Sequence, residues 1–258
     1  MDVLKYIAAA ASDIGKRRGN QDSLCVKTAK FNNQDDLVMA IMCDGMGGLS
    51  KGEFASASLI RAFCKWFDEE LSEVNGELSL DYIVNEWGQV VRKNSSRLKQ
   101  FGEEKGIRLG TTFSGLFILN DRYMIMQIGD SRIYHIVEGK VDLLTEDQTL
   151  AMQEYKLGNI SMEEMRTDSR KNVLLQSVGV TNHLKPVVQF GNITNCSVFV
   201  LCSDGQYHTM STEDFARIVD PCKLHSIRDL RESCKSLISA AKENGEKDNI
   251  SVILIKAM

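Results

Sequence analysis

The sequence predicts a mixed α+β fold built on antiparallel sheets. Three observations carry that expectation: short apolar runs such as residues 37–43 and 198–202, turn dipeptides between such runs, and two long stretches of helical period. Taken in order, an N-terminal strand should precede Arg17-Arg18-Gly19-Asn20-Gln21-Asp22, and a second should follow at 23–28. Residues 37–43 form a continuous apolar strand that runs straight into Asp44-Gly45-Met46-Gly47-Gly48. Residues 50–72 place Ala55, Leu59, Phe63, Trp66 and Phe67 near a 3.6-residue period, with an acidic tail at 68–70. After Asn75-Gly76 as turn chemistry, residues 80–101 repeat the pattern with Ile83, Trp87, Val90, Val91 and Leu98. Two long helices should therefore pack side by side.

From Thr111 the period changes. Residues 111–119, the turn pair Asn120-Asp121 and residues 123–128 read as one hairpin; 132–137, Glu138-Gly139 and 140–144 read as a second. Residues 147–170 are polar, charged and dotted with methionine, an excursion off the sheet that makes a candidate lid or flap. Strands at 187–190, 197–201 and 250–255 complete the pattern, with a helix near 227–243. No repeat or low-complexity linker interrupts the chain, so a single domain over 1–258 is expected.

Composition narrows the function classes. With 43% hydrophobic and 26% charged residues the chain is an ordinary globular sequence rather than a disordered one. Its 31 basic against 35 acidic side chains give a net charge of -4, which offers no field for a nucleic-acid backbone. No apolar run approaches the roughly 18 residues of a membrane span. The segment 7–11 is also shorter than a secretory core of about 7 to 15 residues. Seven cysteines, with no Cys-x-x-Cys pair, fit a reducing cytoplasm. The four histidines lack zinc-site spacing.

The chemistry should sit where aspartates end apolar strands: Asp44-Gly45, Asp204-Gly205, Gly129-Asp130 and Asp248-Asn249. A strand leaving the core at a glycine turn holds its carboxylate at the sheet rim. Any one such pair is most simply a hairpin turn, but an ordinary turn does not demand a continuously apolar run before it. Carboxylates brought together need a cation or shifted pKa values, and oxygen-only ligands suit Mg²⁺ or Mn²⁺. The glycines around 45–52 do not make a phosphate loop, because Ser50 stands where a second glycine is needed. Arg17-Arg18 supplies guanidinium groups that match phosphate oxygens, although alone the pair reads as a solvated turn.

Together these residues carry a resemblance. Arg17-x-x-Asn20-Gln21-Asp22, Asp44-Gly-Met-Gly-Gly with Gly52-Glu53-x-Ala55-Ser56, and Gly110-Thr-Thr come first. Gly129-Asp-Ser-Arg-x-Tyr134, Leu144-Thr-Glu-Asp147, Ser203-Asp-Gly205 and Asp248-Asn249 complete the series. In order and spacing the chain resembles the metal-dependent serine/threonine protein phosphatases of type 2C, the PPM family, in their compact bacterial form. The resemblance implies a four-layer αββα sandwich, two antiparallel sheets flanked by helices, with two Mn²⁺ or Mg²⁺ ions in a cleft. It implies that Asp44 bridges both ions, that the Gly45 carbonyl holds one, and that Asp204 and Asp248 complete the other side. Asp22 would act through water, Asp130 with Asp204 would form a weaker third site, and residues 147–170 would be the flap. Arg17 would clamp the substrate phosphate, or Arg18 if the turn shifts register, since the 15–17 stretch is one residue shorter than usual. Met46 stands in place of the histidine of larger relatives, and Gln206-Tyr207-His208 departs from the usual sequence after Ser-Asp-Gly.

The implied reaction is hydrolysis of phosphoserine and phosphothreonine by a hydroxide bridging the two ions, with no phosphoenzyme. Leaving-group protonation would then come from a metal-bound water. The alternative from another class is a non-catalytic module of the same fold that binds phosphoproteins; loss of a bridging aspartate would mark it, and Asp44 and Asp248 are both present. Partners implied are phosphoproteins and a cognate Ser/Thr kinase, with the enzyme a cytoplasmic monomer.

Overall fold

The computed structural model describes residues 4–32, 35–46, 51–74 and 76–258. The chain opens with three strands, β1 (Tyr6–Asp13), β2 (Asp22–Phe31) and β3 (Asp35–Met46), followed by helices α1 (Gly52–Lys65) and α2 (Leu80–Lys105). Then come β4 (Gly110–Thr111), β5 (Phe113–Leu119), β6 (Arg122–Ile128), β7 (Arg132–Val137) and β8 (Lys140–Leu143). Two short helices, α3 (Leu150–Lys156) and α4 (Met162–Thr167), lead to β9 (Val187–Asn192) and β10 (Val198–Cys202). Helices α5 (Asp204–Tyr207), α6 (Thr212–Ile218) and α7 (Ile227–Glu243) precede the last strand, β11 (Ile250–Ala257).

The strands form two antiparallel sheets. One has the order β1-β11-β10-β7-β8, the other β2-β3-β5-β6-β9 with β4 added to β3. Three separate apolar clusters show how these stack. Alternation along β3 sends Leu37, Met39, Ile41 and Cys43 toward α1 and α2, and Val38, Ala40 and Met42 toward the other sheet. Along β11, Val252 and Leu254 face the cluster that includes Leu230, Cys234 and Leu237 of α7, while Ile253 and Ile255 meet Val38 and Ala40. Both faces of the central strands are covered, which is why they read as unbroken apolar runs. The result is the αββα sandwich.

The helices follow their sequence signals. Ser79 caps α2 by accepting from the Tyr82 amide at 3.2 Å, and Gly106 ends it at φ 64°. Ser226 caps α7 in the same way on Asp229, at 3.2 Å. Trp87 of α2 sits at the centre of an aromatic cluster with Phe63, Trp66, Phe113 and Phe117, all ring centroids within 6.2 Å of it. The expected helix over 50–72 is shorter. It stays α-helical only to Lys65, then widens into a π-turn over Trp66–Glu70 and a 3₁₀ turn over Leu71–Glu73. The widening lets Trp66 and Phe67, consecutive in sequence, both be buried.

Both predicted hairpins form, β5 with β6 and β7 with β8. Asn120, Glu138 and Gly139 take positive φ at their turns. The off-sheet stretch continues past Arg170 as far as β9, tied down by bridges Thr149↔Leu174 and Thr111↔Val178. Helix α6 was not read from the sequence; seven residues are too few for periodicity to register, although Ser211 and Asp214 form a full capping box. Among the described residues no helix is long and apolar enough to cross a membrane. The expected start at Ser50, the Gly47-Gly48 pair and Asn75 lie outside the described residues.

Candidate active site

The sandwich gathers its acidic residues at one rim. Asp22 and Asp44 are directly paired across β2 and β3. Ser203, beside Asp204 at the end of β10, donates to Asp22 Oδ2 at 2.8 Å and so joins the two sheets. Asp248 lies just ahead of β11, and Asp130 follows β6 at a turn made by Gly129 with φ 100°. Asp44 is still within its strand and Asp204 is the first residue of α5, so neither sits in the simple turn that an Asp-Gly pair suggests.

Their mutual repulsion is visible in their protonation. Asp22 is raised to about 6, first by burial and then by Asp204 and Asp248, against hydrogen bonds from Ser251 and Ser203 that lower it. Asp44 is pushed well above the ordinary carboxylate range by burial and by Asp22, Asp204, Asp130 and Asp248. Asp130 is raised by burial, then by Asp204 and Asp147; Asp204 is raised by burial, with Asp248 adding and His208 opposing. Asp22, Asp44, Asp130 and Asp204 are all raised by burial and by neighbouring carboxylates, with only Arg132 and His208 as opposing charges, so the site wants positive charge.

The donor set suits a hard divalent ion. Asp22 Oδ1 is buried without a hydrogen-bond partner, an oxygen with an unused lone pair inside an acidic cleft. Among the described residues, no three His, Cys, Asp or Glu side chains close into a cage around one point. Carboxylate oxygens of this kind are the donors that Mg²⁺ and Mn²⁺ take, with water and backbone oxygen completing the shell.

Close backbone packing positions these groups. The Gly45 amide donates to Gln21 O at 3.1 Å, and a Cβ at Gly45 would lie 2.2 Å from Gly52 O. Ser56 of α1 also donates to Gln21 O, at 2.6 Å, so helix, Gln21 and Gly45 are locked together. Thr112 Oγ1 accepts from the Asp44 amide at 2.8 Å. Gly15, at φ +61°, brings its turn so close to Asp248 O that a Cβ would stand 1.9 Å away. At that turn the Arg17 guanidinium grips both oxygens of Asp248, with Nε to Oδ1 at 2.7 Å. Arg17, not Arg18, is thus the arginine facing the acidic cluster.

The sequence reading named Asn20, Ser203 and Asn249 only as members of motifs and gave no role to the residues that hold this frame. Asn249, 5% exposed, accepts from the Gln21 amide at 2.8 Å and donates to Ile14 O and Gly19 O at 2.9 and 3.0 Å, clamping both ends of the arginine turn. A chain of hydrogen bonds runs from Asn20 through Ser12 to Ser251, and Ser203 ties Ser251 to Asp22. The available signal was polar Ser203 and Ser251 inside otherwise apolar runs. Arg132, also named only as part of a motif, has a definite role. It holds Asp147 in a bidentate pair at 2.9 and 2.7 Å and lies 3.6 Å over the Tyr207 ring, while Tyr207 donates to Asp130 O at 3.0 Å. Burial opposes the Arg132 charge, and Asp147 more than offsets it. This cluster walls one side of a groove of about 650 Å³ whose other side includes Met152 and Arg166 of α3 and α4. His208 lines the same groove, 3.9 Å from Asp204, whereas His135 is stacked on Phe199 at 4.4 Å, away from the aspartates. Cys43 and Cys202 are fully buried in strands.

Residues 11–242 match the family model for protein phosphatase 2C. The chain belongs to the protein phosphatase 2C family. It is 29% identical over 250 residues to protein phosphatase PhpP of Streptococcus pneumoniae, covering 95% of this chain and 94% of that protein. The solved serine/threonine phosphatase of S. agalactiae superposes with a TM-score of 0.84 at 26% identity, covering 98% of this chain and 99% of the other. The catalytic domain of the phosphatase PstP, solved in complex with two manganese ions, gives 0.79 at 25% identity with 99% of each chain covered. In this 2C phosphatase the acidic rim lies where both sheets end, a place set by the fold rather than by any one loop.

Proposed function

We propose that this protein serine/threonine phosphatase hydrolyses phosphoserine and phosphothreonine esters in a single displacement by water, using two Mn²⁺ or Mg²⁺ ions. Asp44 would be shared between the ions, with the Gly45 carbonyl, Asp204 and Asp248 completing the set and Asp22 acting through water. Asp130, facing Asp204, is proposed for a third, weaker ion. The observation that carries the reading is a set of buried aspartates at one rim whose charges bear on one another, with Asp22 Oδ1 buried and, among the described residues, without a hydrogen-bond partner. The manganese ions of the related PstP structure support it. Divalent ions at such a site make water nucleophilic near neutral pH and offset the charge of the phosphate.

The chain's own groups do the rest. The Arg17 guanidinium, held charged by its hydrogen bond with Asp248, is 60% exposed and its fork fits two phosphate oxygens. Asp248 turning toward a cation would release it for that task. Cys43 and Cys202, the cysteines just ahead of Asp44 and Asp204 in the sequence, are not nucleophiles here, because both are buried and burial raises both thiols. The flap would shape access for the protein substrate, and a cognate Ser/Thr kinase is the proposed source of that substrate.

The test is phosphate release from a phosphothreonine peptide by the Mn²⁺-loaded protein. Activity that disappears on exhaustive chelation, with circular dichroism unchanged, is expected. Full hydrolysis after chelation, or a folded and loaded protein that releases nothing, overturns the proposal.

A further inference from the structure

Away from the aspartates, β2 and α1 face each other in matched rows. Ser23, Cys25 and Lys27 alternate onto the helix-facing side of β2, and residues 56, 64 and 68 lie along one ridge that continues from α1 into the π-turn. The two ends of this seam are fixed by contacts. Ser23 Oγ and Ser56 Oγ are 2.9 Å apart, and Lys27 Nζ meets Asp68 at 2.7 Å. Between those two contacts, Cys25 on β2 and Cys64 on α1 occupy the facing positions of the seam, near enough for Cys64 to bear on the Cys25 thiol, and Lys27 lies on the same strand face. Two serine side chains can touch only where the layers approach closely, and a cystine spans a similarly short gap. Both cysteines are free thiols and both keep part of their surface open to solvent. The nearby Cys43 is fully buried.

We propose that Cys25 and Cys64 are a dithiol oxidation site, which a hydroperoxide converts to a disulfide that staples α1 to β2. Burial keeps the Cys25 thiol protonated, so Cys64 reacts first. Cys64 sulfur attacks the peroxide oxygen; an S–O bond forms, the O–O bond breaks, and an alcohol, or water from hydrogen peroxide, leaves with the thiol proton. Cys25 sulfur then attacks the sulfenic sulfur, the S–O bond breaks, and water departs with the second proton. Two thiols are oxidised by two electrons and one peroxide is reduced by two. The staple fastens α1 behind the contact of Ser56 with Gln21 and of Gly52 with Gly45, without using any aspartate of the rim.

The experiment treats the full chain, carrying Cys196→Ser and Cys222→Ser to remove the two exposed thiols, with hydrogen peroxide at low protein concentration. Non-reducing peptide mapping should find the Cys25 and Cys64 peptides joined, with a mass loss of two hydrogens that dithiothreitol reverses. The melting temperature should rise by about 5 °C or more on oxidation, and this rise should vanish with Cys64→Ser. With Cys25→Ser, Cys64 should instead accumulate as a sulfenic acid that dimedone traps. A disulfide to Cys43, overoxidation of Cys64 in the intact pair, or two thiols that stay alkylatable after peroxide would overturn the proposal.

Discussion

Asp22 sits at about 6 instead of the usual 3.8 because it is buried beside Asp204 and Asp248. Between those values the folded chain binds a proton that the unfolded chain does not. Stability therefore falls as pH rises through this window and stays lowered above it. The chelated protein should melt at a higher temperature near pH 5 than near pH 7.5, and Mn²⁺ should remove most of that difference by supplying the missing positive charge. A chelated protein whose melting temperature climbs over that range contradicts the burial argument. Asp44→Asn removes a charge that burial and four carboxylates disfavour. Turnover should drop by about 10³-fold or more while the melting temperature holds or rises, measured by phosphate release and calorimetry.

At the scale of elements, the site depends on backbones that nearly touch. Gly45→Ala would place a methyl 2.2 Å from Gly52 O and 2.7 Å from Gln21 O, neither of which is a flexible side-chain end. Strand β3 must then move against α1, and a displacement of about 1 Å at a reacting group costs on the order of 10²-fold. Peptide kinetics of Gly45→Ala should show that loss in kcat. The flap has its own anchor in the partly buried Arg132 and Asp147 pair, whose side chains are 23% and 13% exposed. Arg132→Ala leaves Asp147 uncompensated and should cost about 3–5 kcal/mol in denaturant unfolding. Replacing both partners by apolar residues should recover much of that loss, and a double-mutant cycle measures the recovery.

Across the whole molecule, three apolar layers support one polar rim. The helix-side layer is organised by Trp87, which is fully buried among aromatic neighbours on α1 and β5. Trp87→Ala should destabilise the protein by about 3–5 kcal/mol, near 10 °C in melting temperature. KM for the peptide should stay unchanged at temperatures where the variant is folded, because the aromatic partners of Trp87 are Phe63, Trp66, Phe113 and Phe117 and none of them holds a group of the rim. A KM that moves with Trp87 would mean that the helices and the acidic rim are mechanically coupled.

Much of the fold was legible because its signals are local. The continuous run 37–43 announced a strand, and residues 80–101 announced a helix by their period; its cap at Ser79 and its extension to Lys105 came from the structure. The π-turn after Lys65 and helix α6 left no such trace, the first because a side-chain packing need widened the helix, the second because it is too short. Aspartates at strand ends were readable as candidates one by one. That Arg17 rather than Arg18 meets Asp248, that Asn249 clamps the turn between them, and that Ser203 reaches Asp22 were decided only in three dimensions. Strand order is the physical reason. Residues some 180 to 230 positions apart become hydrogen-bond partners because β1 pairs β11 and the two sheets stack, and no spacing along the chain encodes that contact.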